Sequence, residues 1–465
     1  MKELTLDYIM ASCQGKKIGE GYPFIGQITT DSRQEMSDKT LFVALQGENH
    51  DGHKFVQEAL NKGAAAAIVS DTSRLNLNDY KDKALIVVDD TLIALQKIAR
   101  KYRQDFNIPV VAITGSVGKT TTKEILSRCL SSSFNTLYTE GNYNNDIGLP
   151  LTIMRLEEYH EAAVVEMAMR GRGEISRLVD IAQPTCAIIT NVEMVHLETL
   201  GSLGNIAKAK CEVLEKLSAG DFAFINGDNK LLLQTAANYS CHKYTFGYNQ
   251  ECDCKILEVR TDKNHMTITA DFFQEPAVIT FPIPAPKLAI NVVAAAGTAL
   301  ILGVPMANII SNLASYKPTG NRLNITKLPE GGIVINDTYN ANPVSMQAAL
   351  ETSQKLKDDK KLVAVLGDMF ELGEYEIDGH LKVGKLAFDN KVDILIAVGA
   401  RAEYIAQGAI QAGMNQAKVL HFPDKAESLA YLQHNLNKTE VILFKASRGM
   451  QLETLIKGWL EEESS

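Results

Sequence analysis

One stretch constrains this chain more than any other: Val110-Val111-Ala112-Ile113, then Thr114-Gly115-Ser116-Val117-Gly118-Lys119-Thr120-Thr121-Thr122-Lys123-Glu124-Ile125-Leu126. An apolar run, a glycine turn and a lysine-threonine pair opening a helix-like segment predict strand, loop and helix in succession. In that order the N–H groups of the loop and of the first helical turn favour a bound anion. Gly115 and Gly118 let the backbone approach it closely, Lys119 reaches the terminal phosphates of a nucleotide, and the Thr120 hydroxyl suits Mg²⁺. The pattern G-x-x-x-x-G-K-[ST] is only half present, because Ile113 stands where its first glycine would be. The alternative is an ordinary strand-to-helix glycine turn. The strand-loop-helix context favours a phosphate loop, with Gly115, Ser116, Val117, Gly118, Lys119, Thr120 and Thr121 as its candidate residues.

A chain of 465 residues exceeds one compact core, so several domains are expected. Residues 1–107 hold short strand-like runs (41–45, 65–69, 85–88) between helical segments, and Asp105 to Pro109 reads as the linker that follows. Residues 108–318 alternate apolar strands with amphipathic helices, predicting a mostly parallel sheet, and Lys317-Pro318-Thr319-Gly320 reads as a hinge. Residues 319–465 alternate again, with Gly after the strands at Gly367 and Gly399, in the doubly wound pattern. The expected fold is therefore three consecutive α/β domains: a small first one, a central P-loop ATPase-like one and a Rossmann-like third.

The net charge of −9 argues against a dedicated nucleic-acid binder. The first residues lack the apolar core of a signal peptide, and no apolar run reaches membrane-spanning length. The seven cysteines are scattered and form no zinc pattern. These features predict a cytoplasmic protein with reduced thiols.

The run T-G-S-x-G-K-T-T resembles the phosphate loop of the Mur ligase family, where the short form is the rule. Further stretches are similar to that family's motifs: Thr30-Asp31-Ser32-Arg33, the run 41–47, the run 49–55, Gly141-Asn142-Tyr143-Asn144-Asn145, Val165-Glu166-Met167 and Gly173-Glu174-Ile175. Asn336-Asp337-Thr338-Tyr339-Asn340-Ala341-Asn342-Pro343, Leu366-Gly367-Asp368-Met369 and Glu371-Leu372-Gly373 point to the branch that adds a dipeptide. The resemblance runs nearly end to end. It implies ATP-dependent ligation of D-alanyl-D-alanine to UDP-N-acetylmuramoyl-tripeptide through an acyl phosphate, by a cytoplasmic monomer that uses ATP and two Mg²⁺ ions. The alternatives are a sister amide ligase with another amino substrate and a nucleotide switch, and no guanine-reading N-K-x-D supports the latter.

By its place at a strand end, Glu166 suits a Mg²⁺ ligand beside Thr120. The resemblance implies that His196 serves a second Mg²⁺ and that Lys210 is carbamylated. On residues alone Lys208 and Lys210 are equivalent helix-surface lysines, and the resemblance selects Lys210. Lys119, Glu166, His196 and Lys210 are thus the implied catalytic residues. Asn291, Arg322, Asp337, Tyr339 and Asn340 match positions near the nucleotide. Asp31, Ser32, Arg33, Asn49 and His53 match the uridine-diphosphate-sugar module. Asn142, Asn144 and Asn145 match the sugar-peptide portion, and Lys445, Ser447 and Arg448 match the amino-substrate loop. The chain departs from the family at Ala285-Pro286-Lys287-Leu288, where Gly-x-His-Asn is common, and at Ala446, where Gly is usual.

Overall fold

The computed structural model describes residues 1–47, 50–73, 75, 81–194, 197–318 and 320–461. Three separate sheets account for the strand segments, as the alternating pattern predicts. The first has five strands in the order Lys16–Ile18, Ala84–Val87, Ala66–Val69, Thr40–Val43, Gln27–Thr29. All pair in parallel except the first, which runs antiparallel to Ala84–Val87. The two edge strands span three residues each, too short for a legible period.

The central sheet has nine strands. Thr136–Tyr138, Ala162–Glu166, Val110–Thr114, Cys186–Ile189, Phe222–Asn226 and His242–Gly247 are parallel neighbours in that order. Cys254–Thr261 continues in parallel, and Met266–Phe272 and Glu275–Phe281 close the far edge antiparallel. Helices Lys119–Leu130 and Ala289–Ile301 cover one face of this sheet. Helices Thr91–Arg103 and Glu174–Ala182 pack in the core on the other. Burial on both faces explains why Val110–Thr114 is a continuous buried run and not an alternating one.

Helix Thr91–Arg103 makes one hydrophobic cluster out of the first sheet and the central one. Its last turn is pinned across: Tyr102 Oη donates to Leu156 O at 2.7 Å, and the Arg103 guanidinium donates to Ala182 O at 2.9 Å and Phe106 O at 2.5 Å. The segment read as a linker is thus held in place.

The third sheet has six strands in the order Asn324–Lys327, Ile333–Asn336, Val441–Lys445, Leu362–Gly367, Ile394–Val398, Val419–Phe422. Only the first pairs antiparallel. Helices Pro343–Leu356, Glu376–Asp389 and Glu403–Ala412 share a core on one face, and Lys425–Asn435 and Glu453–Leu460 share one on the other. Among the described residues no helix is long and apolar enough to cross a membrane, and the seven cysteines are buried and free.

Candidate active site

The carboxyl ends of the central strands and the third sheet face each other across a cleft of about 1230 Å³. Val110–Thr114 delivers the glycine loop to it, and Lys119–Leu130 starts immediately after, with Gly118 as its left-handed N-cap at φ 85°. A Cβ on Gly118 would lie 2.5 Å from Asn291 Nδ2, and one on Gly115 would lie 1.9 Å from Thr190 Oγ1. Both positions therefore require glycine.

The loop is fixed from the neighbouring strand end. The Val117 N–H donates to Asn191 Oδ1 at 2.8 Å, Thr190 Oγ1 donates to Val117 O at 2.6 Å, and the Ser116 hydroxyl accepts the Glu193 N–H at 2.9 Å. Asn291 donates to Thr122 Oγ1 at 2.9 Å and so braces the first helical turn. Lys119 Nζ folds back onto the carbonyls of Gly115 at 2.9 Å and Ser116 at 3.4 Å. Burial lowers its pKa, against the pull of Glu166.

Glu166, the last residue of Ala162–Glu166, is 2% exposed. One oxygen accepts from Thr120 Oγ1 at 2.6 Å and the other from Asn144 Nδ2 at 2.8 Å, while its N–H is held by Thr139 Oγ1 at 3.0 Å. A dry carboxylate beside a hydroxyl and a helix N-terminus is an oxygen donor set suited to a hard divalent cation.

Lys210 lies in the last turn of helix Leu203–Cys211. The structure corrects its reading as a surface residue: it is fully buried, whereas Lys208 is exposed. The distinction comes from packing, because this helix buries Ile206, Ala207, Ala209, Lys210 and Cys211 together. The Nζ has no hydrogen-bond partner. Burial, then Lys119, pushes its pKa well below the usual lysine range, opposed by Glu212, Glu174 and Glu166. An unpaired ammonium in a dry site is costly, so the site favours an uncharged nitrogen.

The opposite wall belongs to the third sheet. The Arg322 guanidinium lies 4.1 Å over the Tyr339 ring, and its Nε is buried without a partner. Lys445, 2% exposed, reaches Asp337 Oδ2 at 2.5 Å and Asn340 O at 2.9 Å. Asp337 Oδ1 accepts the Leu323 N–H at 3.2 Å, which ties the segment after Gly320 to this pair. Ser447 Oγ accepts the Phe370 N–H at 2.9 Å, and Arg448 pairs with Glu453.

The cleft thus brings together Ser116 to Thr121, Asn142, Asn144, Asn145, Glu166, Asn291, Arg322, Asp337, Tyr339, Asn340, Lys445, Ser447 and Arg448. Of the three asparagines, Asn144 holds Glu166, Asn145 caps the Gly148 N–H at 2.8 Å, and Asn142 is exposed. The first-sheet candidates do not line this cleft. Arg33 chelates Asp31 at 2.7 and 2.8 Å and holds its carboxyl down to about 2. Ser32 is 9% exposed and His53 6%. The His53 ring is engaged on both sides, by Asp51 Oδ1 at 2.8 Å and by the Ser70 N–H at 2.9 Å. His196 and Asn49 lie outside the described residues.

Three cleft residues escaped the sequence reading: Thr190, Arg170 and Phe370. Thr190 carries the signal that marked Glu166, a polar residue at the end of a buried parallel strand. Arg170 and Phe370 carry none. Lys287, in the departing segment 285–288, pairs at 3.0 Å with Glu351 from the third unit.

The fold and this cleft define a nucleotide-binding α/β protein of the phosphate-loop class. Three family models match successive parts of the chain: "Mur ligase family, catalytic domain" over residues 25–103, "Mur ligase middle domain" over 113–299 and "Mur ligase, glutamate ligase domain" over 321–448. UDP-N-acetylmuramoyl-tripeptide–D-alanyl-D-alanine ligase of Bacillus subtilis is 37% identical over 94% of each chain. The Escherichia coli protein of that name is 33% identical over 99% of this chain and 98% of its own. The crystal structure of MurF from Acinetobacter baumannii superposes with a TM-score of 0.88, 30% identity and 99% coverage of both chains. MurF ligase from Thermotoga maritima in complex with ADP gives 0.81 at 28% identity, covering 94% of this chain and 98% of that one. The chain belongs to the Mur ligase family.

Proposed function

We propose that this protein uses ATP to join D-alanyl-D-alanine to UDP-N-acetylmuramoyl-tripeptide, a step in building peptidoglycan precursor. Two relatives that carry this activity in their names match over nearly their whole length, and a solved homologue was crystallised with ADP. One observation carries the reading: a glycine-built phosphate loop, a buried carboxylate and a second basic wall face one another across a single cleft.

In this reading a tripeptide carboxylate oxygen attacks the γ-phosphorus and ADP leaves. The dipeptide amine then attacks the acyl carbon, forming the amide bond, losing a proton and expelling phosphate. Lys119 and the loop N–H groups would offset the charge on the transferring phosphoryl group, and Arg322, with its unpartnered Nε, would meet it from the third unit. Mg²⁺, held by Thr120 and Glu166, supplies further charge neutralisation when bound. His196 is assigned to a second ion on family grounds.

The orphaned Lys210 nitrogen fits carbamylation. Its neutral amine adds to the carbon of CO₂, a proton leaves, and a carboxylate-like ligand stands where an ammonium would be unpaired. Residues 1–107 are read as the uridine-diphosphate-sugar module, 108–318 as the ATP unit and 319–465 as the dipeptide unit. The protein is read as a cytoplasmic monomer.

The test is phosphate release from ATP with Mg²⁺ and the UDP-sugar tripeptide, with and without D-alanyl-D-alanine. Release that requires both substrates, with a product heavier by one dipeptide, is the expected result. Release without either, or only with a different amine, would overturn the substrate assignment.

A further inference from the structure

The cleft corner around Lys445, Ser447 and Arg448 contains a side chain that the ligation chemistry does not use. Phe370 lines the cleft beside Ser447, Arg448 and Gly449, and its ring and backbone are held from several directions. Its N–H donates to Ser447 Oγ at 2.9 Å, and the preceding Met369 N–H donates to Nε2 of the fully buried His380 at 3.0 Å. One residue further back, Asp368 O accepts the Ser447 N–H at 3.0 Å, and Asp368 Oδ1 accepts the Ala402 N–H at 2.7 Å. The Arg401 guanidinium lies 5.0 Å over the ring and is itself held by Glu376 at 3.1 Å. Beneath the ring, a Cβ on Gly449 would sit 2.8 Å from Phe370 Cε2, so the glycine is what lets the ring lie where it does.

A large apolar ring fixed this firmly and left facing the cleft needs a reason, because an aromatic of this kind normally completes a core. The amine substrate supplies one. A dipeptide of two alanines is a small zwitterion whose only apolar parts are two methyl groups. Its carboxylate suits a basic corner, and its methyls need an apolar surface at a fixed distance. We infer that Phe370 is the specificity-determining wall of the amino-substrate site, gauging the size of a dipeptide side chain. Gly449 sets the depth of that wall. This rests on the function proposed above.

The test compares kcat/KM for D-alanyl-D-alanine with that for dipeptides in which either alanine is replaced by D-2-aminobutyrate or D-norvaline. It uses the full-length wild type, Phe370→Ala and Gly449→Ala, with KM for ATP followed throughout. Phe370→Ala should cut the preference for D-alanyl-D-alanine by about tenfold or more at one of the two positions, since a single methylene in a fitted pocket is worth at least that much discrimination. Gly449→Ala pushes the ring into the cleft and should raise KM for D-alanyl-D-alanine while KM for ATP stays in place. Unchanged preference at both positions in Phe370→Ala would overturn the inference. So would a loss in which KM for ATP rises as much as KM for the dipeptide. Should Phe370→Ala not fold, an unaltered dipeptide KM in Gly449→Ala is decisive against it. If the wild type itself makes no product from D-alanyl-D-alanine, the functional reading fails instead.

Discussion

Lys119 is half-buried and Lys210 fully buried, and their surroundings set them opposite tasks. Lys119 has carbonyl acceptors at Gly115 and Ser116 and the Glu166 charge nearby, so it can remain an ammonium ready to meet phosphate. Lys119→Ala should lower turnover at least about 100-fold, the scale of losing one preorganised charge partner of a transition state. Its thermal midpoint should stay close to that of the wild type, because little core packing is removed. Near-normal turnover would dismiss the phosphate loop. Lys210 has no acceptor at all. Lys210→Ala should be inactive but regain part of its turnover when acetate or another short carboxylate is added. Lys119→Ala should show no such rescue, and a Lys210→Ala variant that ignores added carboxylate would remove the carbamate reading. Lys119 was legible because its motif is local. The environment of Lys210 was not, because nothing in the run 207–212 tells which of its two lysines faces inward.

Elements at the site are held by caps and single side chains more than by length. Helix Pro343–Leu356 starts from a capping box in which Asn342 and Ser345 serve each other, with proline in the first turn. That is why a run rich in turn-forming residues, Asn336 to Pro343, ends as a helix start. Asn342→Ala should cost about 1 kcal/mol of stability in urea unfolding. Helix Glu376–Asp389 reaches the 368–373 loop through His380, whose Nδ1 lies 2.6 Å from Glu376 O while Nε2 accepts the Met369 N–H. Only a neutral ring can do both, and burial lowers the pKa of His380. As pH falls through the ordinary histidine value of about 6.5, the unfolded chain takes up this proton before the folded one does. Stability is therefore lost from there downward, by at most about 1.4 kcal/mol per pH unit from this group. Between about pH 7.5 and about pH 5.5 the unfolding free energy of the wild type should fall more steeply than that of His380→Gln, whose amide keeps an acceptor without titrating. Parallel slopes would show that His380 takes up its proton in the fold as readily as in the unfolded chain.

At the scale of the whole molecule, the cleft exists because the third unit sits over the central sheet, and charged contacts help hold it there. Lys287 meets Glu351 at 3.0 Å beside the cleft, Arg170 meets Glu371 at 3.6 Å, and Lys263 in the far hairpin meets Asp358 at 2.5 Å. Exposed pairs of this kind are each worth only about 0–1 kcal/mol and weaken with salt. Contacts of this strength predict that closure of the third unit over the central sheet is reversible. Lys263→Glu should shift small-angle scattering of the ligand-free protein toward a more extended particle at low salt, and adding Asp358→Lys should restore the wild-type curve. A scattering curve that ignores both changes would mean that the hairpin contact does not bear on closure.

The sequence by itself determined the local parts. Buried parallel strands read as apolar runs, the glycine loop between strand and helix declared its chemistry, and Glu166 stood out by its place at a strand end. These signals are legible because they arise within a few residues of backbone. The antiparallel edge from Cys254 to Phe281, the sharing of one core between the first two sheets, and the burial of Lys210 were not legible. Each depends on which face of one element meets another far along the chain. Tertiary structure alone decided that Asp337 pairs with Lys445 across 108 residues of sequence, and that Gly449 makes room for Phe370. Contacts between distant segments follow from packing, which no local pattern records.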